Sequence, residues 1–262
     1  KGLKRLLIMN VEKRANIIKD WIDNYCNNES FKPKTLVVGI SGGIDSSVVS
    51  TLCALTGRKT IVLSMPIKQI KSQHDLSVEH GKWLITKFKN AEHKIIELEN
   101  VFNSFEKTLN KFNSEHGFAN SRARLRMATL YQVAAANSGI VVGTGNKVED
   151  FGVGFYTKYG DGGVDISPIA DCNKTQVWEL GKHLGISNKI IEAEPTDGLW
   201  NDGRNDKDQL GMSYSELEKA MEDQNNPNYI SRLRYNTFFL DKIKGRLKVS
   251  APKVHNLENW EL

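Results

Sequence analysis

Cysteine is scarce in this chain, and long apolar runs are missing from it. The 262 residues include three cysteines, Cys26, Cys53 and Cys172, which lie far apart and form no C-x-x-C pair. A count this small and odd argues against both a disulfide framework and a zinc site. No stretch approaches the roughly 18 consecutive apolar residues of a membrane-spanning helix, so we expect no membrane span.

The beginning of the sequence also lacks the features of a secretory leader. Basic residues surround a short apolar patch there, but charges return at Glu12 and Lys13 and no small-residue cleavage site follows. We therefore expect a cytoplasmic protein. The formal net charge is only +5, because acidic residues over 192–223 offset a basic C-terminus. This balance is compatible with nucleic acid as a partner, but an anionic small-molecule substrate explains it equally well.

The most informative stretch is LVVGISGGIDSSV at residues 36–48, where an apolar run ends in a Ser-Gly-Gly turn and a helix begins. Gly42 and Gly43 can take positive φ angles and allow close backbone approach, and the first N–H groups of the helix point at a bound anion. No G-x-x-x-x-G-K-[ST] string occurs, which excludes a Walker A loop. Asp45 would repel phosphate unless a divalent cation lay between them, so it is a candidate Mg²⁺ ligand. The alternative is an ordinary Gly-rich turn between strand and helix.

Strand-like runs alternate with helical patterns over the first two thirds of the chain. The predicted strands are 35–40, 60–65, 93–98 and 139–143, and the predicted helices include 46–56, 72–88, 100–113 and 120–138. This alternation predicts an α/β fold with a Rossmann-like parallel sheet covered by helices on both faces. Ligands of such sheets bind beyond the carboxyl ends of the strands, so the turns at 41–45 and 143–146 should converge on one nucleotide site. We expect a single domain over residues 1–262.

After the last predicted strand the pattern is less regular, above all from about residue 199. A helix is predicted over 174–184, and Ser213 with Glu216 forms a capping box for a helix over 214–223. The polar segment LWNDGRNDKDQ at 199–209 has little apolar anchorage. It is either a mobile lid or a simple surface loop.

The string S-G-G-x-D-S resembles the PP-loop of the N-type ATP pyrophosphatases, which split ATP into AMP and pyrophosphate. Further blocks follow it in order: NSRARLRM at 120–127, VVGTGNKVED at 141–150, GFYTKYGDGG at 154–163, EPT at 194–196 and LGMSY at 210–214. Together, over about residues 11–225, these blocks resemble the NAD synthetase family. The block with KYGDGG is the most diagnostic, because GMP synthetase and tRNA-thiolating enzymes have similar PP-loops without it.

The resemblance implies a reaction and its site residues. Deamido-NAD, ATP and ammonia would give NAD, AMP and pyrophosphate with Mg²⁺, in a homodimer that builds the deamido-NAD site across two subunits, with no nucleic acid or membrane as partner. By matching positions, the ATP-binding residues would be Gly39, Ile40, Ser41, Gly42, Gly43, Ile44, Asp45, Ser46, Thr144, Lys174 and Thr196. The residues for deamido-NAD would be Arg124, Lys158 and Asp165, and the Mg²⁺ ligands would be Asp45 and Glu149.

Two places depart from the family pattern. Gly145 stands where the family often has an acidic residue, and KIKGRLKVSAP at 242–252 stands where it often has a His-Lys pair, so Lys244, Arg246 and Lys248 are given no contact. Glutamine-dependent relatives carry an amidohydrolase domain with a catalytic cysteine, and we expect none here. The amine donor should therefore be ammonia.

The implied chemistry needs no side-chain nucleophile. Ammonia cannot displace an oxide from a carboxylate, whereas transfer of AMP onto the carboxylate supplies a leaving group, and Mg²⁺ stabilises the charge that develops on the phosphates. Two alternatives stay open. One is another PP-loop ATP pyrophosphatase that amidates or thiolates a nucleobase, and the other is an inactive nucleotide- or RNA-binding module. Intact Asp45 and Glu149 count against the inactive module.

Overall fold

The structure, a computed structural model, describes residues 9–28, 31–196 and 206–222. Its sheet contains the strands β1 (Thr35–Gly39), β2 (Lys59–Ser64), β3 (Ala91–Ile95) and β4 (Gly139–Val141). They pair in parallel in the order β3-β2-β1-β4. A parallel bridge between Val142 and Ile166 adds a further segment next to β4. The predicted parallel α/β sheet is confirmed.

Helices cover both faces of this sheet. They are α1 (Val11–Asn28), α2 (Ile44–Leu55), α3 (Lys71–Lys87), α4 (Glu99–Thr108), α5 (Glu115–Ala136), α6 (Lys174–Leu184), α7 (Asn188–Ile191), α8 (Asp206–Leu210) and α9 (Tyr214–Glu222). Within β1, Leu36 and Val38 point into the core shared with α1, α2 and α6, whereas Val37 points into the core shared with α4 and α5. Successive strand residues face opposite sides, so a strand covered on both faces is apolar throughout.

Several predicted boundaries of helices and strands are confirmed, and others differ from those in the structure. Helix α6 begins and ends at the predicted residues, because Asn173 caps its start with a capping box and Gly185 ends it with φ +77°. The capping box of α9 is also present, with Glu216 accepting from the Ser213 backbone N–H at 2.9 Å. The third strand lies at Ala91–Ile95 rather than 93–98.

The predicted lid or loop at 199–209 falls partly outside the described residues, which resume at residue 206. There the prediction of a loop was wrong, because residues 206–210 form helix α8. Its first residue is tied to an earlier part of the chain, since the backbone N–H of Asp206 donates to the Pro195 carbonyl at 2.9 Å. Among the described helices, none is both long and apolar enough to cross a bilayer.

Candidate active site

The Gly-rich turn between β1 and α2 is shaped to receive an anion. Gly42 has φ +92°, and a Cβ there would collide with the backbone oxygen of Gln73 in α3, so only glycine fits. Helix α2 begins directly after Gly43, which has no side chain to cap it. The first N–H groups of α2 are therefore available to a bound phosphate. Ser41 and Ser46 add hydroxyl groups to the same turn, with their Oγ atoms 3.2 Å apart.

A buried lysine joins two carboxylates beside this turn. Lys174 Nζ donates to Asp45 Oδ2 at 2.6 Å and to Glu149 Oε1 at 2.8 Å, and only 3% of its side chain is exposed. Asn146 donates to Asp45 Oδ1 at 3.0 Å. The hydroxyl of Tyr214 lies 2.6 Å from Glu149 Oε1. The two carboxylates thus contact the same ammonium group. Two carboxylates that converge in this way are also suitable ligands for a divalent metal ion.

Proton affinity in this cluster differs between the two acids. Burial raises the pKa of Asp45 above its ordinary value, and the nearby Lys174 ammonium does not offset this. Burial also tends to raise the pKa of Glu149. The Lys174 ammonium and the hydrogen bonds from Lys174 and Tyr214 outweigh this effect, so the pKa of Glu149 lies below its ordinary value. Burial likewise disfavours the charge of Lys174, yet the two carboxylates raise its pKa. The lysine therefore stays charged at neutral pH.

One cleft of about 960 Å³ collects these groups. Its lining includes all eleven predicted ATP-binding residues, from Gly39–Ser46 through Thr144 and Lys174 to Thr196, as well as the predicted metal ligand Glu149. Gly143, Thr144 and Gly145 of the second turn also line this cleft, and Asn146 contacts Asp45 of the first turn, as expected for the carboxyl ends of neighbouring parallel strands. The sequence motifs therefore meet in space.

The three residues predicted for deamido-NAD are not among those that line this cleft. Arg124 and Lys158 are exposed and adjacent, since Arg124 Nε donates to the Lys158 carbonyl at 3.0 Å. Asp165 is half-buried and accepts from the Tyr131 hydroxyl at 3.0 Å and from the Val141 backbone N–H at 2.8 Å. These three residues are therefore outside the lining of the cleft, although Thr157 and Val164, next to Lys158 and Asp165 in the sequence, belong to it.

The NAD synthase family model matches residues 14–256, which is most of this chain. The chain belongs to the NAD synthase family. The NH(3)-dependent NAD(+) synthetase of Finegoldia magna is 34% identical to it over 254 residues, covering 97% of this chain and 98% of that protein. The corresponding protein of Alkaliphilus oremlandii is 37% identical over 227 residues, covering 82% of this chain and 87% of its own length.

Solved structures of other proteins have the same fold. An NMN synthetase from Francisella tularensis superposes with a TM-score of 0.78 at 31% identity, covering 87% of this chain and 92% of its own. The NH3-dependent NAD synthetase from Campylobacter jejuni, in complex with nitrate, superposes with a TM-score of 0.72 at 26% identity. The match covers 94% of this chain and 99% of that chain. The predicted family and α/β fold class are confirmed.

The cysteines of this NAD synthase family member lie in its core. Burial raises the pKa of the Cys26 thiol to about 11 and that of the Cys172 thiol to about 12, and Cys53 is fully buried. A thiol that stays protonated is a poor nucleophile. None of the three lines the cleft. These three thiols are therefore not candidate nucleophiles in the cleft, and a reaction without a side-chain nucleophile stays a prediction.

Sequence reasoning missed several polar residues of the cleft region. Asn146 and Tyr214 hold the two carboxylates, and Asp150 fills the space where a Cβ at Gly145 would lie. Arg126 also lines the cleft and donates to the Met65 carbonyl at 2.9 Å. Each of these four polar residues lies within a family block. The blocks therefore indicated the region, but they did not show what each side chain contacts.

Proposed function

We propose that this chain is an ammonia-dependent NAD synthetase, a C–N ligase that amidates deamido-NAD with ATP and Mg²⁺. The observation that carries the proposal is the meeting, in one cleft, of an anion-binding turn with two carboxylates that share a cation. The relatives named above are NH(3)-dependent NAD(+) synthetases. We also propose a cytoplasmic location, where ATP is available.

The turn would hold the ATP phosphates. Gly39–Ser46 contributes backbone N–H groups and the start of α2, which favour negative charge. Lys174 Nζ is within reach of the same turn, since it contacts Asp45 in the first turn of that helix. Thr144 and Thr196 contribute further polar groups to the lining. The phosphates would therefore meet donors from several elements.

Asp45 and Glu149 fit Mg²⁺, because hard carboxylate oxygens are its preferred protein ligands. Within the described residues no three His, Cys, Asp or Glu side chains form a metal site. Phosphate oxygens and water would therefore supply the remaining ligands, as is usual for Mg²⁺. When bound, the ion would stabilise negative charge on the departing pyrophosphate. Asn146 and Tyr214 keep the two carboxylates oriented.

The reaction then needs two substitutions. An oxygen of the nicotinate carboxylate attacks the α-phosphorus of ATP, and pyrophosphate leaves with the bonding electron pair. Neutral ammonia adds to the carbonyl carbon of the resulting acyl adenylate, AMP leaves, and the new amide nitrogen gives up one proton. Pre-organised donors around the phosphates assist the first step.

Deamido-NAD is proposed to contact Arg124, Lys158 and Asp165 at a homodimer interface. Arg124 and Lys158 are exposed, and the neighbouring Tyr159 is 70% exposed with φ +65°. Such a surface suits a site that a second copy completes. Light scattering should give twice the 29.5 kDa mass of one chain. A fully active monomer would contradict the shared site.

The deciding experiment measures NAD formation by the purified chain from deamido-NAD, ATP, Mg²⁺ and ammonium. Glutamine in place of ammonium should not support the reaction. Nicotinate mononucleotide and xanthosine monophosphate should each be offered in place of deamido-NAD, because one solved neighbour is an NMN synthetase and other PP-loop enzymes act on nucleobases. AMP release with one of these instead would replace the proposal with another PP-loop activity. No AMP release with any of the three acceptors would replace it with an inactive module.

The role of Asp45 is tested in the same assay. Asp45→Asn should lower the turnover by at least about 10², the effect typical of losing one charge-stabilising group. Asp20→Asn, on the exposed side of α1, is the matched control and should retain full activity. Near-normal activity of Asp45→Asn at saturating Mg²⁺ would remove this carboxylate from the site.

A further inference from the structure

A chain of hydrogen bonds ends on the peptide between Ile40 and Ser41, in the PP-loop Gly39–Ser46. Ser77 in α3, only 2% exposed, donates its hydroxyl to the Ile40 carbonyl at 3.0 Å. Its Oγ also contacts Ser64, the last residue of β2, and Ser64 Oγ lies 2.8 Å from His93 Nε2. None of these three side chains lines the ATP cleft or takes part in the proposed reaction.

The Ile40 carbonyl, at the end of this series of hydrogen bonds, determines which group donates in each of them. A carbonyl oxygen only accepts, so the single hydroxyl hydrogen of Ser77 is committed to Ile40. The hydroxyl hydrogen of Ser64 must then go to Ser77, and His93 must donate its Nε2–H to Ser64. The three bonds align head to tail, so each polarises the next, and the two bonds of Ser77 lie in a buried, low-dielectric setting.

The peptide between Ile40 and Ser41 is held from both sides. Its carbonyl faces Ser77, whereas its N–H donates to Ser46 Oγ at 3.2 Å. In a trans peptide these two groups point in opposite directions, so the two contacts determine the rotation of the peptide plane. The next carbonyl, that of Ser41, accepts from Gln69 Nε2 at 3.3 Å.

A phosphate-binding turn works only when N–H groups, and not carbonyl oxygens, face the anion. Helix α3 provides for this, because it binds the Ile40 carbonyl through Ser77 and packs so closely on Gly42 that a Cβ would collide with it. We propose that Ser77 is a positioning residue for ATP: it turns the Ile40 carbonyl away from the phosphates and presets the amide face of the PP-loop. This proposal rests on the proposed role of that loop.

Ser77→Ala tests the proposal with two probes, ATP in the complete reaction and inorganic pyrophosphate in equilibrium binding. Loss of one neutral hydrogen bond predicts a rise of about fivefold in the KM for ATP and in the Kd for pyrophosphate. The KM for deamido-NAD should stay within about twofold. Ser64→Ala keeps the bond to Ile40 but removes its polarisation, so a rise of less than about twofold is expected. Ser77→Cys, whose thiol is a weak donor, carries the test if Ser77→Ala does not fold, and it should raise the KM for ATP and the Kd for pyrophosphate more than Ser64→Ala does.

Ser50→Ala is the matched control. Ser50 is fully buried and lies 2.8 Å from His80 Nε2, as Ser64 does from His93, but its hydroxyl donates to the Ser47 carbonyl and not to Ile40. It should shift the urea midpoint of unfolding as much as Ser77→Ala while leaving the KM for ATP within twofold. Unchanged pyrophosphate binding by Ser77→Ala, or equal weakening by Ser50→Ala, would overturn the positioning role alone. A wild-type chain that binds neither probe would overturn the role of the loop itself.

Discussion

Replacing Lys174 with methionine would leave two buried carboxylates facing each other without their shared cation. Methionine keeps an unbranched side chain of similar length but has no ammonium group. Asp45 and Glu149 are each only 16% exposed, so water cannot replace the lost partner fully. The variant therefore isolates the electrostatic contribution of the lysine to the folded state.

The expected loss is large because the charges are buried. Removing one partner of a buried ion pair costs about 3–5 kcal/mol, and here one ammonium serves two acids. If the free energy of unfolding falls by about 3 kcal/mol, the thermal midpoint of a chain of this size should fall by about 6–12 °C. Without the ammonium the folded-state pKa values of both acids rise, so the variant loses stability as the pH increases. The deficit should therefore be larger at pH 8 than at pH 5.

Urea titration measures the free energy of unfolding of the wild type and of Lys174→Met at pH 5 and at pH 8. Each titration is done once with EDTA and once with Mg²⁺. Mg²⁺ should stabilise Lys174→Met more than the wild type, because it can occupy the same cation position. Adding Asp45→Asn to Lys174→Met should restore part of the loss. Lys182→Met, on the exposed side of the same helix, is the control and should change little. A deficit below about 1 kcal/mol, or one equal to that of the control, would refute the reasoning.

Three further predictions concern single groups. Gly42→Ala should abolish AMP release and lower the free energy of unfolding by at least about 1–3 kcal/mol, because φ is +92° and the Cβ meets Gln73. Burial, with a smaller contribution from His93, lowers the pKa of His80 to about 4. Since unfolded histidine binds a proton near pH 6.5, the free energy of unfolding should fall by up to about 3 kcal/mol between pH 6.5 and 4 in urea titrations. Tyr214→Phe should raise the Mg²⁺ concentration for half-maximal activity about fivefold.

Each of these has a control. Gly57→Ala also places alanine at a positive φ, +79°, but meets nothing within 4 Å, so it should retain activity. His80→Gln should remove most of the pH-dependent loss, and an unchanged slope would exclude His80 as its source. Tyr25→Phe, in α1, should leave the Mg²⁺ dependence unchanged, and an equal shift in both tyrosine variants would contradict a specific role for Tyr214.

Local signals in the sequence were enough to determine much of the fold. Strands β1 and β2 are covered on both faces, so their centres, Leu36–Val38 and Ile61–Leu63, are continuous apolar runs that stand out from their surroundings. Helix α6 was predicted correctly because Gly185 ends it, and the structure adds the capping box of Asn173 at its start. Strand β3 was misplaced because it is an edge strand with exposed and half-exposed side chains, and its pattern is correspondingly weak.

Helix α8 shows the limit of local pattern. Its polar sequence predicted a loop, but its first backbone N–H is bound by Pro195 and its side chain at Asp206 lies 2.7 Å from the Tyr214 hydroxyl. Those partners belong to other parts of the chain. Tertiary contacts therefore decided a conformation that the segment's own composition did not favour.

The sequence by itself indicated the two turns that line the candidate site, because the family blocks contain them and parallel strands bring their carboxyl ends together, but it did not indicate the lining from α3, such as Gln73. It did not show that Lys174 lies between Asp45 and Glu149, or that Ser77 holds Ile40. Lys174 and Asp45 are 129 positions apart, and Ser77 and Ile40 are 37 apart. Only packing of separate helices on the sheet decides such pairs, because a side chain's distant partner leaves no periodic trace in the chain around it.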